Sequence, residues 1–331
     1  MHKFTVNRLD ELKNKFKGKK VAVIGDLMLD CYFWGDVKRI SPEAPVPVLE
    51  LDNEFYRFGG AANVALNIIK LGATPIPIGV VGNDANSDIF KKLMGESGIT
   101  NEGIIIDETR PTTIKTRVIA GTQHIVRIDR ESKKYINKET EEKIIEYFLN
   151  KVTDFDGLIL QDYNKGVLTP SLIKRIGEIA KNYGKIITVD PKFNNFYEYT
   201  NSTVFKPNRK EAIDATGLPI TNKEELKKVG EFLLEKLNAK YILITLGEGG
   251  SVLFEKGKEP KQTPTKARKV RDVSGAGDTV ISTLTVALVA GAEIDEAVYL
   301  ANYAGGLVCE EVGIIPIEVD KLIETVKADI V

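Results

Sequence analysis

Apolar residues recur along this chain in two patterns, and their alternation predicts the architecture. Short runs rich in Val and Ile, at 19–26, 75–81, 157–162, 185–189, 204–205, 241–245 and 251–254, read as strands buried in a sheet. A further short strand is expected within 101–106. Helical spacing predicts helices over 64–72, 87–98, 138–151, 170–183, 223–237, 279–290, 295–311 and 320–327. Strand and helix alternating in this way imply right-handed βαβ units and a mainly parallel sheet between helical layers. Two segments break the pattern. Residues 46–58 alternate loosely, and the prolines ahead of them exclude a helix. Residues 112–120 and 124–128 have period two, with Thr113, Lys115 and Arg117 opposite Ile114, Thr116 and Val118, around a turn at Gly121-Thr122. Together they predict a small separate β-sheet from about 37–58 and 112–129, a lid that excludes water from a site; a sheet extension or a dimer surface is compatible with the same pattern.

Glycine turns punctuate this frame. Asp272-Val273-Ser274-Gly275-Ala276-Gly277-Asp278 runs straight into the apolar stretch 279–290. Small residues ahead of a helix leave the first backbone N–H groups accessible to an anion, where the helix dipole is positive. An acid beside such a hole reads as a base for a hydroxyl, and Asp278 read alone is equally an N-terminal cap. Phe58-Gly59-Gly60-Ala61-Ala62-Asn63 is a second glycine turn before a helix, where Asn63 can both donate to and accept from a polyol or simply pack tightly. Asp26, Asp162, Asp190, Asn208 and Thr245 all fall at or just past expected strand ends, where open α/β sheets place ligands. Gly247-Glu248-Gly249-Gly250 is a hairpin turn or a nucleotide contact.

Composition changes the picture mainly by exclusion. With 46 Lys+Arg against 47 Asp+Glu in 331 residues, nothing calls for nucleic acid or a membrane surface. Two cysteines suit a reducing cytoplasm, and the polar, Lys-rich first twenty residues have no apolar h-region. Two histidines, His2 and His124, disfavour His-based metal sites and Ser-His-Asp catalysis. A phosphate-binding G-x-x-x-x-G-K-[ST] loop is absent, and Gly275-Ala276-Gly277 lacks the third glycine of a dinucleotide fingerprint.

Four stretches in order carry a resemblance over nearly the whole length: Gly59-Gly60-Ala61-Ala62-Asn63 with Leu71-Gly72-Ala73, Asn208-Arg209-Lys210-Glu211, Thr245-Leu246-Gly247 with Gly250, and Asp272 through Asp278. The chain resembles the ribokinase-like (PfkB) carbohydrate kinases. The resemblance implies a three-layer α/β/α domain with a mostly parallel central sheet and a small β-sheet lid. It implies Asp278 as general base, with Gly275, Ala276 and Gly277 as anion hole. Asn208 and Glu211 are implied to organise Mg²⁺ and phosphate, Glu211 through water; Thr245, Gly247, Gly250, Asp272 and Ser274 to contact ATP; and Asp26, Asp30, Gly60 and Asn63 to contact the sugar. Potassium activation through backbone carbonyls near Asp272, Val308 and Gly313 is left open.

A narrower likeness rests on Gly25-Asp26-Leu27-Met28-Leu29-Asp30, Arg39 through Val48, Lys115 through Ala120, Asp162-Tyr163-Asn164-Lys165-Gly166 and Asp190-Pro191-Lys192. These look like the kinase portion of ADP-heptose synthesis proteins, which phosphorylate the anomeric hydroxyl of D-glycero-D-manno-heptose 7-phosphate. Many such proteins add a nucleotidyltransferase domain with an H-x-G-H motif. The two histidines present here exclude that motif, so the expectation is a single kinase domain over 1–331. The acceptor's phosphate needs cations. Arg39, Lys115, Arg117, Lys165 and Lys192 are candidates, with Lys192 first and Lys165 second. A homodimer through the lid edges is also expected. Within kinases, a ribokinase, fructokinase or nucleoside kinase is the runner-up. A non-catalytic sugar-binding protein would keep Asp26 and Asn63 without needing Asp278.

Overall fold

In the first strand Val21 and Val23 join one apolar cluster while Ala22 and Ile24 join another, so both faces of the sheet are buried. The computed structural model describes residues 4–266, 270–311 and 313–330. In chain order the elements are α1 (Val6–Phe16), β1 (Lys20–Gly25), β2 (Leu27–Ile40), β3 (Pro47–Gly60), α2 (Ala61–Lys70), β4 (Thr74–Val81), α3 (Ala85–Glu96), β5 (Ile104–Ile106), β6 (Ile114–Ala120), β7 (Gln123–Arg130), α4 (Lys138–Lys151), β8 (Gly157–Gln161), α5 (Pro170–Asn182), β9 (Ile186–Asp190), β10 (Val204–Phe205), α6 (Arg209–Thr216), α7 (Lys223–Leu237), β11 (Tyr241–Thr245), β12 (Ser251–Glu255), β13 (Lys261–Thr263), α8 (Ala276–Val289), α9 (Ile294–Cys309) and α10 (Val319–Ala328).

Nine strands form the central sheet in the order β13-β12-β11-β10-β9-β8-β1-β4-β5. All neighbours pair in parallel except β11–β12 and β12–β13. Helices α1, α2, α3, α8, α9 and α10 pack on one face, and α4, α5, α6 and α7 on the other. This is the expected three-layer α/β/α arrangement.

The second sheet has four strands in the order β3-β2-β6-β7. It grows directly out of the carboxyl end of β1, since only Asp26 separates β1 from β2. Its root, Leu27 to Cys31, is buried in the main core, and its outer half is open, with Ile40 61% and Ile128 55% exposed. The lid was expected to start near residue 37, yet β2 begins ten residues earlier, at Leu27. Because the root is covered on both faces, it lacks the alternation that marks a half-exposed strand.

Several boundaries differ in ways that matter for the site. Helix α8 starts at Ala276 rather than at Thr279, so the small residues form its first turn. Helix α2 likewise starts at Ala61, which puts Asn63 in its first turn. Helix α1 was not expected from the polar N-terminus; it buries Leu9, Leu12 and Phe16 behind a Thr5 cap. Helix α6 was also unforeseen, although Asn208 and Glu211 form a reciprocal capping box at its start.

Candidate active site

Five neighbouring strands, β1, β8, β9, β10 and β11, end along one line of the sheet. At or just past those ends lie Asp26, Gln161-Asp162-Tyr163, Asp190, Lys206-Pro207-Asn208 and Thr245. The expected shared placement of these strand-end residues is what the sheet order produces.

Facing them is the start of α8. Gly275 takes φ +79° as its N-cap, a conformation that favours glycine. Asp278 follows one turn in and is 4% exposed. Its Oδ2 accepts from Asn63 Nδ2 at 2.8 Å, and its Oδ1 accepts from Tyr163 Oη at 2.7 Å and Gln161 Nε2 at 3.2 Å. Burial raises the Asp278 carboxyl to about 6; the Asn63 and Tyr163 hydrogen bonds pull it down, Asp190 pushes it up and Lys206 pulls it down. Such a carboxylate is poised to take a proton near neutral pH. The helix behind it holds it firmly: Ser282 Oγ donates to the Asp278 carbonyl at 2.6 Å, and Asn67 holds Thr279 Oγ1 at 3.0 Å.

Among the described residues, the backbone N–H groups of Gly277 and Asp278 meet no protein acceptor, while that of Ala276 closes on the Val273 carbonyl. They are thus available to an anion at the positive end of α8. A Cβ on Gly277 would lie 3.8 Å from Lys206 Nζ and 3.7 Å from Asp190 Oδ2. Lys206 is 2% exposed and ion-paired with Asp190 at 3.1 Å, so a buried cation borders the same spot. Lys192 stands nearby, ion-paired with Glu211 and 5.5 Å from the Tyr163 ring centroid. Burial pulls the Lys192 ammonium down, but Asp190 and Glu211 outweigh it and raise it overall.

A cavity of about 270 Å³ opens on the other side of Gly277, lined by Thr245, Gly247, Gly250, Ala276, Gly305 and Cys309 among others. Three of the expected nucleotide residues therefore share one cleft with the small residues of α8. Glu211 stands at the start of α6, and both its oxygens are engaged, one by Lys192 and one by the Asn208 N–H at 2.8 Å.

Asp272 and Ser274 do not join that cleft. They line a separate cavity of about 310 Å³ beneath the lid, with Tyr32, Trp34, Arg57 and Arg117. The Asp272 carboxylate is spent on the Ser274 and Gly313 N–H groups at 2.9 and 3.0 Å. The expected sugar contacts divide in the same way. Asn63 is at Asp278. Gly60 is the α2 N-cap, with φ +58°, and a Cβ there would meet the Asp26 carbonyl at 2.3 Å. Asp30 is buried in an ion pair with Arg117. Asp26 is engaged by the chain itself: its Oδ2 accepts from the N–H groups of Tyr163 and Lys165 at 2.7 and 3.0 Å, and its Oδ1 from that of Val167 at 3.2 Å.

Of the cation candidates, Arg39 is exposed at the lid tip. Lys165 pairs with Glu131 at 2.6 Å. Lys115, on the lid strand β6, is half-buried 6.0 Å from the Tyr163 ring centroid. Burial and the neighbouring Lys165 hold its ammonium below the usual lysine range. The sequence reading missed Gln161, Tyr163 and Lys206 as site residues. Their signal was position alone, since each adjoins a strand end already marked by Asp162 or Asn208.

A buried carboxylate at a helix N-terminus, with open N–H groups between a lid and a cleft, is an arrangement that suits phosphoryl transfer. The model for the pfkB family carbohydrate kinases matches residues 18–321, and the chain belongs to that family. The chain is 44% identical over 298 residues to the bifunctional protein HldE of Desulfatibacillum aliphaticivorans, covering 90% of this chain and 61% of the relative. It is 42% identical over 295 residues to the bifunctional protein HldE of Helicobacter pylori strain 26695, covering 89% of this chain and 64% of that one. It thus spans about three-fifths of the length of the curated relatives it matches. Among solved structures, Arabidopsis thaliana ribokinase complexed with ribose and ATP superimposes with TM-score 0.72 at 22% identity, covering 92% of this chain and 99% of that one. Escherichia coli phosphofructokinase-2 in complex with potassium gives TM-score 0.75 at 18% identity, covering 94% and 99%. These likenesses match the fold described above. Kinases of this family take the phosphoryl group from ATP, generally with Mg²⁺.

Proposed function

We propose that this chain transfers the γ-phosphoryl group of ATP to the anomeric hydroxyl of D-glycero-D-manno-heptose 7-phosphate, giving the 1,7-bisphosphate used in ADP-heptose synthesis. The observation that carries the kinase chemistry is Asp278, buried beside Asn63 next to the unpaired N–H groups at the start of α8. As the acceptor oxygen bonds to phosphorus, its proton passes to Asp278, the bond from phosphorus to the bridging oxygen breaks, and ADP leaves. The Gly277 and Asp278 N–H groups, with Lys206 and Lys192, stabilise charge on the transferring group. The relatives at 44% and 42% identity support the heptose acceptor, as do the motif stretches around Asp26, Arg39 to Val48 and Tyr163.

Lys115 and Lys165 support a phosphorylated acceptor. The lid delivers one ammonium, 6.0 Å from the Tyr163 ring centroid, and the loop after β8 the other, close enough that Lys165 helps to lower the Lys115 ammonium. A phosphate brought between them relieves their mutual repulsion. Among the described residues no group of three or more His, Cys, Asp or Glu side chains forms a cage for a metal. Mg²⁺ is ordinarily held by one or two carboxylates together with substrate phosphates and water; Glu211, whose oxygens meet Lys192 and the Asn208 N–H, would hold it through water. Mg²⁺ bound there supplies charge neutralisation on the phosphates. Potassium near Asp272, Val308 and Gly313, a dimer through the exposed lid face and a cytoplasmic location belong to the same reading. No helix among the described residues is long and apolar enough to cross a membrane.

Coupled ADP release with Mg·ATP tests the acceptor. D-glycero-D-manno-heptose 7-phosphate should turn over at least about a hundredfold better in kcat/KM than ribose, fructose or fructose 6-phosphate. Preferential turnover of another sugar would leave the kinase and remove the heptose.

A further inference from the structure

The two oxygens of Asp278 are not equivalent. Oδ1 receives two donors, the Tyr163 hydroxyl at 2.7 Å and the Gln161 amide at 3.2 Å, while among the described residues Oδ2 receives only Asn63 Nδ2 at 2.8 Å. Each carboxylate oxygen has room for about two strong hydrogen bonds. Oδ1 is therefore full and Oδ2 has one place left. Beside that place Asn63 Oδ1 is buried without a partner among the described residues, an acceptor for a second hydroxyl of a polyol.

We propose that Tyr163 is a positioning residue for the base: with Gln161 it occupies Oδ1 and turns Oδ2, beside Asn63, towards the acceptor hydroxyl. This rests on reading Asp278 as the general base. The acceptor hydroxyl donates to Oδ2; its oxygen forms the new bond to phosphorus, its proton stays on Oδ2 and ADP departs with the bridging oxygen. Tyr163 keeps its own proton throughout, because burial and the neighbouring Asp278 and Asp190 push its phenol well above the usual tyrosine range.

The chain builds a dedicated frame for this hydroxyl. Asp26 takes the N–H groups of Tyr163, Lys165 and Val167, which closes the loop after β8 into a fixed turn. Asp162 takes the Asn164 N–H at 2.7 Å, with Asn164 at φ +54°, and is itself held by the Tyr199 hydroxyl at 2.7 Å. Two buried carboxylates are thus committed to the turn that carries Tyr163. The family's expected sugar contact at Asp26 acts here through the loop. The other charged groups facing Asp278 are Asp190 from β9, Lys206 from the end of β10 and Lys192 just past β9. Each stays in place when only the Tyr163 hydroxyl is removed.

The test is Tyr163→Phe, which keeps the ring near Lys115 and Lys192, assayed for kcat from about pH 5 to pH 9. Losing a donor to the charged form raises the proton affinity of Asp278, so the acid limb of the profile should move up by about one pH unit. The plateau kcat should fall by about tenfold, with the KM for ATP unchanged. Gln161→Met removes the weaker donor from the same oxygen, and its limb should move in the same direction by less. A uniform loss at every pH with the limb unmoved, or a downward shift, overturns the proposal. If Asp278→Asn retains activity, the parent reading fails; if that variant is inactive and the Tyr163→Phe limb is unmoved, only this proposal fails.

Discussion

The central sheet and the lid are both built from β-strands, but they are stabilised in different ways and have different jobs. Strands β1, β4 and β8 are buried along nearly their whole length, clamped between helices, and their ends hold Asp26, Gln161 and Tyr163 within bonds of 2.7–3.3 Å. The lid is anchored only at its root, and Trp34, Leu51, Val126 and Ile128 along its outer half are 41–55% exposed. The groups proposed to handle the transferring charge sit on the rigid part, where a small displacement is costly to rate. Lys115, proposed above to meet the acceptor, belongs to the lid sheet, beside Asp30 at its root. The difference predicts that lesions at the sheet ends lower kcat and lesions on the lid raise the KM of the acceptor.

The sharpest way to break this comparison is at Lys192. Its ammonium is tied to Glu211 and stands near Asp190 and Asp278, which supports a role in the transfer rather than at the acceptor's phosphate. Lys192→Met should lower kcat by on the order of 10²-fold with the sugar KM little changed. A rise in sugar KM alone would move Lys192 to the acceptor side, where the motif reading had put it. Lys115→Met is the counterpart on the lid and should raise the KM for the phosphorylated sugar by about tenfold while saturated kcat holds. Equal losses in both parameters would erase the division.

Backbone geometry gives a third check. Gly60 joins lid to core at φ +58° with no room for a Cβ beside the Asp26 carbonyl. Gly60→Ala should cost about 2 kcal/mol in chemical denaturation. A neutral result would mean that the junction can relax. The smallest effect on chemistry should come from the lid's outer face. Ile128→Lys should shift the assembly towards monomer in analytical ultracentrifugation and change kcat by less than about twofold. An unchanged mass would place any assembly elsewhere.

Most of the frame was legible because buried parallel strands are continuous apolar runs and their helices repeat with period near 3.6. Helices 138–151 and 223–237 and strands 204–205 and 241–245 fall where the pattern put them. The lid root was not legible, since Leu27 to Cys31 is covered on both faces and looks like core. Helix α6 was signalled by its capping box, but only eight residues follow, too few to show a period. In the site, Asp278 and its glycine turn were legible because their chemistry is written locally. Tyr163 and Gln161 were not, because their partner is more than a hundred residues away and only the sheet order brings them to it. The same reason hid the bonds that Asp26 makes to the loop and Asp272 to the Gly313 turn.

The central claim is that Asp278 takes the acceptor's proton. The most direct measurement is single-turnover phosphoryl transfer from Mg·ATP to D-glycero-D-manno-heptose 7-phosphate by the wild type and by Asp278→Asn, with nucleotide affinity and melting followed on the same samples. The account predicts a loss on the order of 10²–10⁴-fold in the transfer rate for the variant, with nucleotide affinity and fold intact. A wild-type rate that falls away below about pH 6 accompanies it, since the carboxylate at about 6 must be unprotonated to act. A variant that transfers phosphoryl at the wild-type rate would contradict the account.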